Sequence, residues 1–188
     1  MPTEIEGETI DLWWLAEDGG FSVLAAHILQ RSREFAGKEL RVFTVVDLEG
    51  EGTTMEAASE KMTALLFRLR IDAKVVVVDA KLGNRIEDAN KLDDFSRLGL
   101  GSLSDLPEVE KALTTRYMNL GDHLRAHSGL KRAHSGWAQA SVVFITMPLF
   151  LSGLPVKLYM NWVDALTTGM PPTVLIRGNG TPLMTFNA

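Results

Sequence analysis

The 188-residue sequence contains no cysteine. That absence removes disulfides, thiolate zinc sites and cysteine nucleophiles, and it agrees with a reducing compartment. There is no apolar run long enough to cross a bilayer. The most apolar stretch, Val142 to Val156, is broken by Pro148, Ser152, Gly153 and Pro155, and it is shorter than the roughly 20 residues a spanning helix needs. Basic charge is not in excess: 19 Lys and Arg stand against 24 Asp and Glu, a net charge of -5. A general nucleic-acid binder would show the opposite balance. Met1 to Glu8 is acidic and polar, unlike a signal or transit peptide. The sequence also lacks G-x-G-x-x-G, G-x-x-x-x-G-K-[ST] and G-x-S-x-G, the loops that carry dinucleotides, nucleoside triphosphates and the serine-hydrolase nucleophile.

What is present is an alternation of strand and helix patterns. Thr9–Leu15, Leu40–Val46, Ala73–Val78, Ala140–Met147 and Thr173–Arg177 are short runs rich in β-branched and apolar residues. Between them, helical spacing of apolar residues covers Phe21–Phe35, a segment opened by Thr53 or Thr54 and reaching Leu69, Pro107–Ser128, and Val156–Leu166. The four valines of Ala73–Val78 suit a strand covered on both faces. Gly178-Asn179-Gly180 before Leu183–Phe186 predicts a closing β-hairpin. The order predicts an α/β fold, a mainly parallel sheet of five to six strands with helices on both faces. One domain over residues 9–188 is expected, with a flexible insertion at about 80–106 and a short helix near Ile86–Leu98.

Ligands of open α/β sheets favour loops beyond the strands' carboxyl ends, near the reversal of strand order. Ala16–Gly20 and Pro148–Pro155 qualify, and Gly19 and Gly20 are the candidate cofactor-binding residues because they open a helix whose amides suit phosphate. Glu17 and Asp18 oppose that use by charge, and Asp18 is itself a candidate cap for those amides. His123 and His127 lie one helical turn apart, but HLRAH lacks the glutamate of H-E-x-x-H, and the pattern predicts solvated side chains without a metal. Trp13 and Trp14 are expected to face opposite sides of the sheet. Tyr159 and Trp162, three apart on a helix, are core residues by default and interface candidates otherwise. No cofactor is expected.

Several blocks resemble the cation–chloride cotransporter family. They are TIDLWWLAEDGGFSVL at Thr9–Leu24, LRVF at Leu40–Phe43, ALLFRLRID at Ala64–Asp72, LYMNWVDALT at Leu158–Thr167, PPTVLIRGN at Pro171–Asn179 and LMTF at Leu183–Phe186. The LYM of Leu158–Thr167 and the PPTVLIRGN form favour the sodium-dependent, sodium–potassium–chloride branch. The resemblance implies the second, universal-stress-protein-like and Rossmann-like unit of a carboxyl-terminal cytosolic region. That region regulates and dimerises a multi-pass transporter moving sodium, potassium and chloride, on the cytoplasmic side of the plasma membrane. Implied partners are a second copy, the transmembrane domain of the same protein and regulatory kinases, with no nucleic acid. In Lys81–Ser104 no block resembling the family is identified. Arg116 stands where the potassium–chloride branch has a regulatory threonine, so that switch is not carried over. Ser96, Ser102, Ser104, Thr114 and Thr115 are candidate phosphorylation sites. The alternative left open is a stand-alone nucleotide-binding protein of the universal-stress type.

Overall fold

The helical and strand patterns resolve into alternating elements: β1 Thr9–Trp14, α1 Phe21–Gln30, β2 Glu39–Val46, α2 Met55–Leu69, β3 Lys74–Asp79, α3 Glu108–Ser128, β4 Ala140–Thr146, α4 Val156–Thr167 and β5 Thr173–Ile176. The computed structural model describes residues 6–46, 54–79, 105–130, 138–148, 150, 152–179 and 181. Their five strands form one all-parallel sheet in the order β3-β2-β1-β4-β5. The chain steps from β1 outward to β3, then returns to the other side of β1 for β4 and β5. With crossovers of one hand, that reversal sends α1 and α2 to one face and α3 and α4 to the other.

Strand alternation divides the core accordingly. Ile10, Leu12, Leu40, Val42, Val142 and Phe144 pack under α1 and α2 against Val23, Ala26, Met62 and Leu66. Trp13, Phe43, Val143 and Ile145 pack under α3 and α4 against Leu120, Leu124 and Leu166. The adjacent tryptophans of β1 therefore serve opposite faces, as their sequence positions predicted.

Local chemistry sets the helix ends. Thr54 caps α2: its hydroxyl accepts from the Ala57 amide at 3.1 Å. α1 stops at Gln30, five residues short of the expected Phe35. Past Gln30 the backbone tightens into consecutive three-residue turns, with Ser32 N–H donating to the Leu29 carbonyl, Phe35 to Ser32 and Lys38 to Phe35. Gly37 at φ 86° completes the reversal into β2. β3 departs from its expectation too. It pairs only with β2 among the described residues, and Val75–Val77 are half-buried rather than covered on both faces. The predicted hairpin strand Leu183–Phe186, the helix near Ile86–Leu98 and nearly all of the insertion at about 80–106 lie outside the described residues.

Candidate functional site

The reversal of strand order lies between β1 and β4, and the two loops expected to flank a ligand leave from the ends of these neighbouring strands. The chain itself occupies the position. The Asp18 carboxylate accepts from the Gly20 amide at 3.0 Å and the Ser22 amide at 2.8 Å, with Trp14 Nε1 at 3.4 Å. These are the amides a phosphate would need at the start of α1. Gly19 and Gly20 have φ of 72° and 91°, so their glycine character serves the left-handed turn into α1 rather than close approach of a ligand. Gly178 closes the crevice from the other side: a Cβ there would lie 2.5 Å from the Asp18 carbonyl oxygen. At the end of β4, Thr146 Oγ1 accepts from the Leu15 amide at 2.7 Å and the Ala16 amide at 3.1 Å. The amides of Leu15, Ala16, Gly20 and Ser22 are thus satisfied internally.

Two spaces remain near these strand ends. An open cleft of about 360 Å³ runs between the β1 and β2 ends and α2, lined by residues that include Leu15, Thr44, Val46 and Ala57. Lys61 pairs with Glu17 at its mouth, which leaves no cationic excess for a phosphate. A second cavity, about 20 Å³, is lined by Leu15, Val45, Arg116, Tyr117 and Leu120, room for about one water. Burial pushes the Tyr117 phenol above its ordinary value of 10.0, opposed by Arg116 and assisted by Tyr159.

Below the crevice, on the face covered by α3, sits a buried polar node. Parallel register places Asp11 beside Arg41. Arg41 Nε donates to Asp11 Oδ1 at 2.7 Å and Nη2 to Oδ2 at 2.6 Å, a two-pronged pair sealed from solvent. Thr9 Oγ1 donates to Asp11 Oδ1, and Ser128 Oγ, at the end of α3, donates to Oδ2 at 2.5 Å. Ser128 in turn accepts from Trp13 Nε1 at 3.0 Å. Trp13 stacks on Phe43 with ring centroids 4.5 Å apart, and the His127 ring meets both edge-on. The histidines therefore correct the expectation of a solvated face: His123 is buried and His127 half-buried against the sheet, because the α3 stripe containing them turns toward Trp13. Among the described residues no three His, Cys, Asp or Glu side chains are grouped to hold a metal.

The remaining predicted residues separate. Ser96, Ser102 and Ser104 lie outside the described residues. Thr114 is fully buried, its hydroxyl donating to the Glu110 carbonyl at 2.7 Å and accepting from Trp162 Nε1 at 3.0 Å. A phosphate there would require breaking that joint. Thr115 is half-buried. Trp162, a core residue by default and an interface candidate otherwise, is fully buried, wedged against Tyr117 at 4.9 Å between ring centroids. A surface contact through it is not available. Tyr159 is half-buried, with its hydroxyl donating to the Pro148 carbonyl at 3.3 Å and its ring against Phe150.

The polar groups described above hold helices to the sheet. Comparison with known proteins places the chain in a family. The family model for solute carrier family 12 matches residues 3–100 and 102–188, so the match also runs through nearly all of Lys81–Ser104, where the sequence blocks had shown no resemblance. The chain belongs to solute carrier family 12. Its similar relatives include solute carrier family 12 member 2 of Mus musculus, 26% identical over 95% of this chain. They also include the bumetanide-sensitive sodium-(potassium)-chloride cotransporter of Manduca sexta, 27% identical over 96%, and solute carrier family 12 member 3 of Pseudopleuronectes americanus, 29% identical over 95%. The chain spans 16%, 17% and 19% of those three proteins respectively. The cotransporter resemblance read from the sequence blocks thus holds at family level.

Sequence reasoning missed the Asp11–Arg41 pair in this family 12 chain. The signal was available: each charged residue occupies a core-facing position of the strand alternation, Asp11 two before Trp13 and Arg41 two before Phe43. Charges at such positions are stable only when paired.

Proposed function

We propose that the chain is a non-catalytic regulatory and dimerisation domain of a membrane cotransporter that moves sodium, potassium and chloride together. In this reading it is a single α/β domain over residues 9–188 with an insertion at about 80–106, near the carboxyl end of a longer protein and on the cytoplasmic side of the plasma membrane. Its partners are the transmembrane domain of the same protein, a second copy, and kinases acting on Ser96, Ser102, Ser104 or Thr115. One observation carries the reading: in a family 12 chain, the place where an α/β sheet of this order would hold a ligand is filled by Asp18. The printed name of the Manduca sexta relative, a sodium-(potassium)-chloride cotransporter, supports cotransport as the activity of the whole protein. No helix among the described residues is long and apolar enough to cross a membrane, which supports placing the ion path in another part of that protein.

The test is ion uptake by the complete gene product in cells, followed as chloride-dependent rubidium influx. Gly121→Leu, which unseats α3 from α4, should lower influx at equal surface abundance. Unchanged influx would remove the regulatory role. Micromolar binding of ATP by the 188-residue chain in calorimetry would instead favour the nucleotide-binding alternative, which Asp18 opposes by occupying the amides and repelling phosphate.

A further inference from the structure

The outward face of α4 carries Val156, Met160, Val163 and Thr167, at successive spacings of four, three and four. That is the seam spacing of paired helices. The opposite side of α4 is the buried one, with Leu158, Trp162 and Leu166 in the core, so the seam points away from the molecule. Val156 is 66% exposed and Met160 53%, while Phe150 extends the apolar surface beside Tyr159. Lys157 and Asp164 are exposed and seven residues apart. They project from the same flank of the seam, because seven residues bring a helix back to nearly the same angle. They do not pair with each other, and no ion pair with another described residue holds either of them.

We propose that a second copy of this chain docks on this surface, α4 against α4, antiparallel about a two-fold axis. The observation that chooses this occupant is the charge pattern. In an antiparallel helix pair the same flank of each helix faces its counterpart. Lys157 of one copy then lies level with Asp164 of the other, and the two-fold axis repeats the contact. In that register Met160 of each copy sits level with residue 161 of the other, between its Met160 and Val163, so the seam interdigitates. A surface contact built on one 12-residue helix from each copy is smaller than a standard stable interface, and the dimer is weak and sensitive to salt. The inference rests on the dimerising reading above and adds to it the surface and register.

The test uses K157E and D164K in the 188-residue chain, with mass followed by light scattering and sedimentation over concentration. K157E leaves acids at both flank positions, and D164K leaves bases at both. Each variant alone should dimerise at least about tenfold more weakly than the parent, because attraction becomes repulsion at both symmetric contacts. The double variant K157E/D164K should recover dimerisation. Mixing the two single variants should give a heterodimer, and that result also shows both to be folded. A parent dimer unaffected by either charge change would overturn this surface while leaving dimerisation intact. A parent chain monomeric at every concentration would overturn the α4 dimer together with self-association of this chain.

Discussion

Arg41→Met is the most informative single change in the core. It keeps an unbranched apolar stem and removes the guanidinium, so Asp11 stays in place with only the Thr9 and Ser128 hydroxyls as donors. Breaking a buried ion pair by removing one partner costs about 3–5 kcal/mol, because the remaining charge is neither solvated nor paired. Domains have about 5–15 kcal/mol of total stability, so the loss is a large share of what exists. For a chain of this length each kcal/mol corresponds to roughly 2–4 °C in Tm, which places the expected drop at about 6–20 °C. Replacing both partners with apolar side chains, Asp11→Leu with Arg41→Met, should recover most of it, since the pair's desolvation cost disappears together with its attraction. Urea unfolding at pH 7, followed by tryptophan fluorescence and far-ultraviolet circular dichroism, measures the parent, both single variants and the double variant. A drop below about 1 kcal/mol for Arg41→Met, or a double variant no more stable than the sum of the two losses, would refute the assignment of the pair as the anchor between β1, β2 and α3.

Two further outcomes follow from the α3 and α4 layer. A Cβ on Gly121 would lie 2.3 Å from the Ala165 carbonyl oxygen, so Gly121→Ala should destabilise by about 1–3 kcal/mol, the cost of overpacking; an unchanged urea midpoint would show that the helices separate freely. Tyr117 supplies a pH dependence. Its folded-state pKa is raised above 10.0 by burial, so the folded chain keeps a proton that the unfolded chain releases. The stability linked to that proton is fully present below about pH 10 and is lost as pH rises through the folded value. Absorbance titration of the two tyrosines should show a late-ionising component that Tyr117→Phe abolishes, and that variant should also lose less stability between pH 9 and 11.

The legible parts of the sequence were those governed by local periodicity. The run Thr9–Trp14 and the capped helix Thr54–Leu69 were readable because alternation and helical spacing are written in neighbouring residues. Asp18 was readable as a cap because capping spans four residues. What failed depended on distant partners. The valines of β3 read as a fully covered strand, but among the described residues β3 pairs only with β2, an outer place that no local pattern encodes. Trp162 reads as core by default, but the partner of its indole N–H, Thr114, lies 48 residues away and local spacing does not reveal it. The histidines of α3 were assigned to solvent because the helix's polar composition hid which stripe turns toward Trp13 and Phe43.

The fold and the proposed function meet at α1's first turn. A parallel sheet of this order ordinarily acts through the free amides and positive end of the helix after its first strand. Here Asp18 supplies the negative charge from within the chain, Gly178 packs against it, and Thr146 takes the next two amides. Admitting an anionic ligand would therefore require expelling a buried carboxylate that holds at least two amide hydrogen bonds, and the ligand would have to replace each of them before adding any affinity. The chemistry left unspent is on the outside, at the α4 seam with its flanking Lys157 and Asp164. On the proposed reading the chain acts through such contacts, so substitutions on that seam should alter assembly while leaving the folded core unchanged.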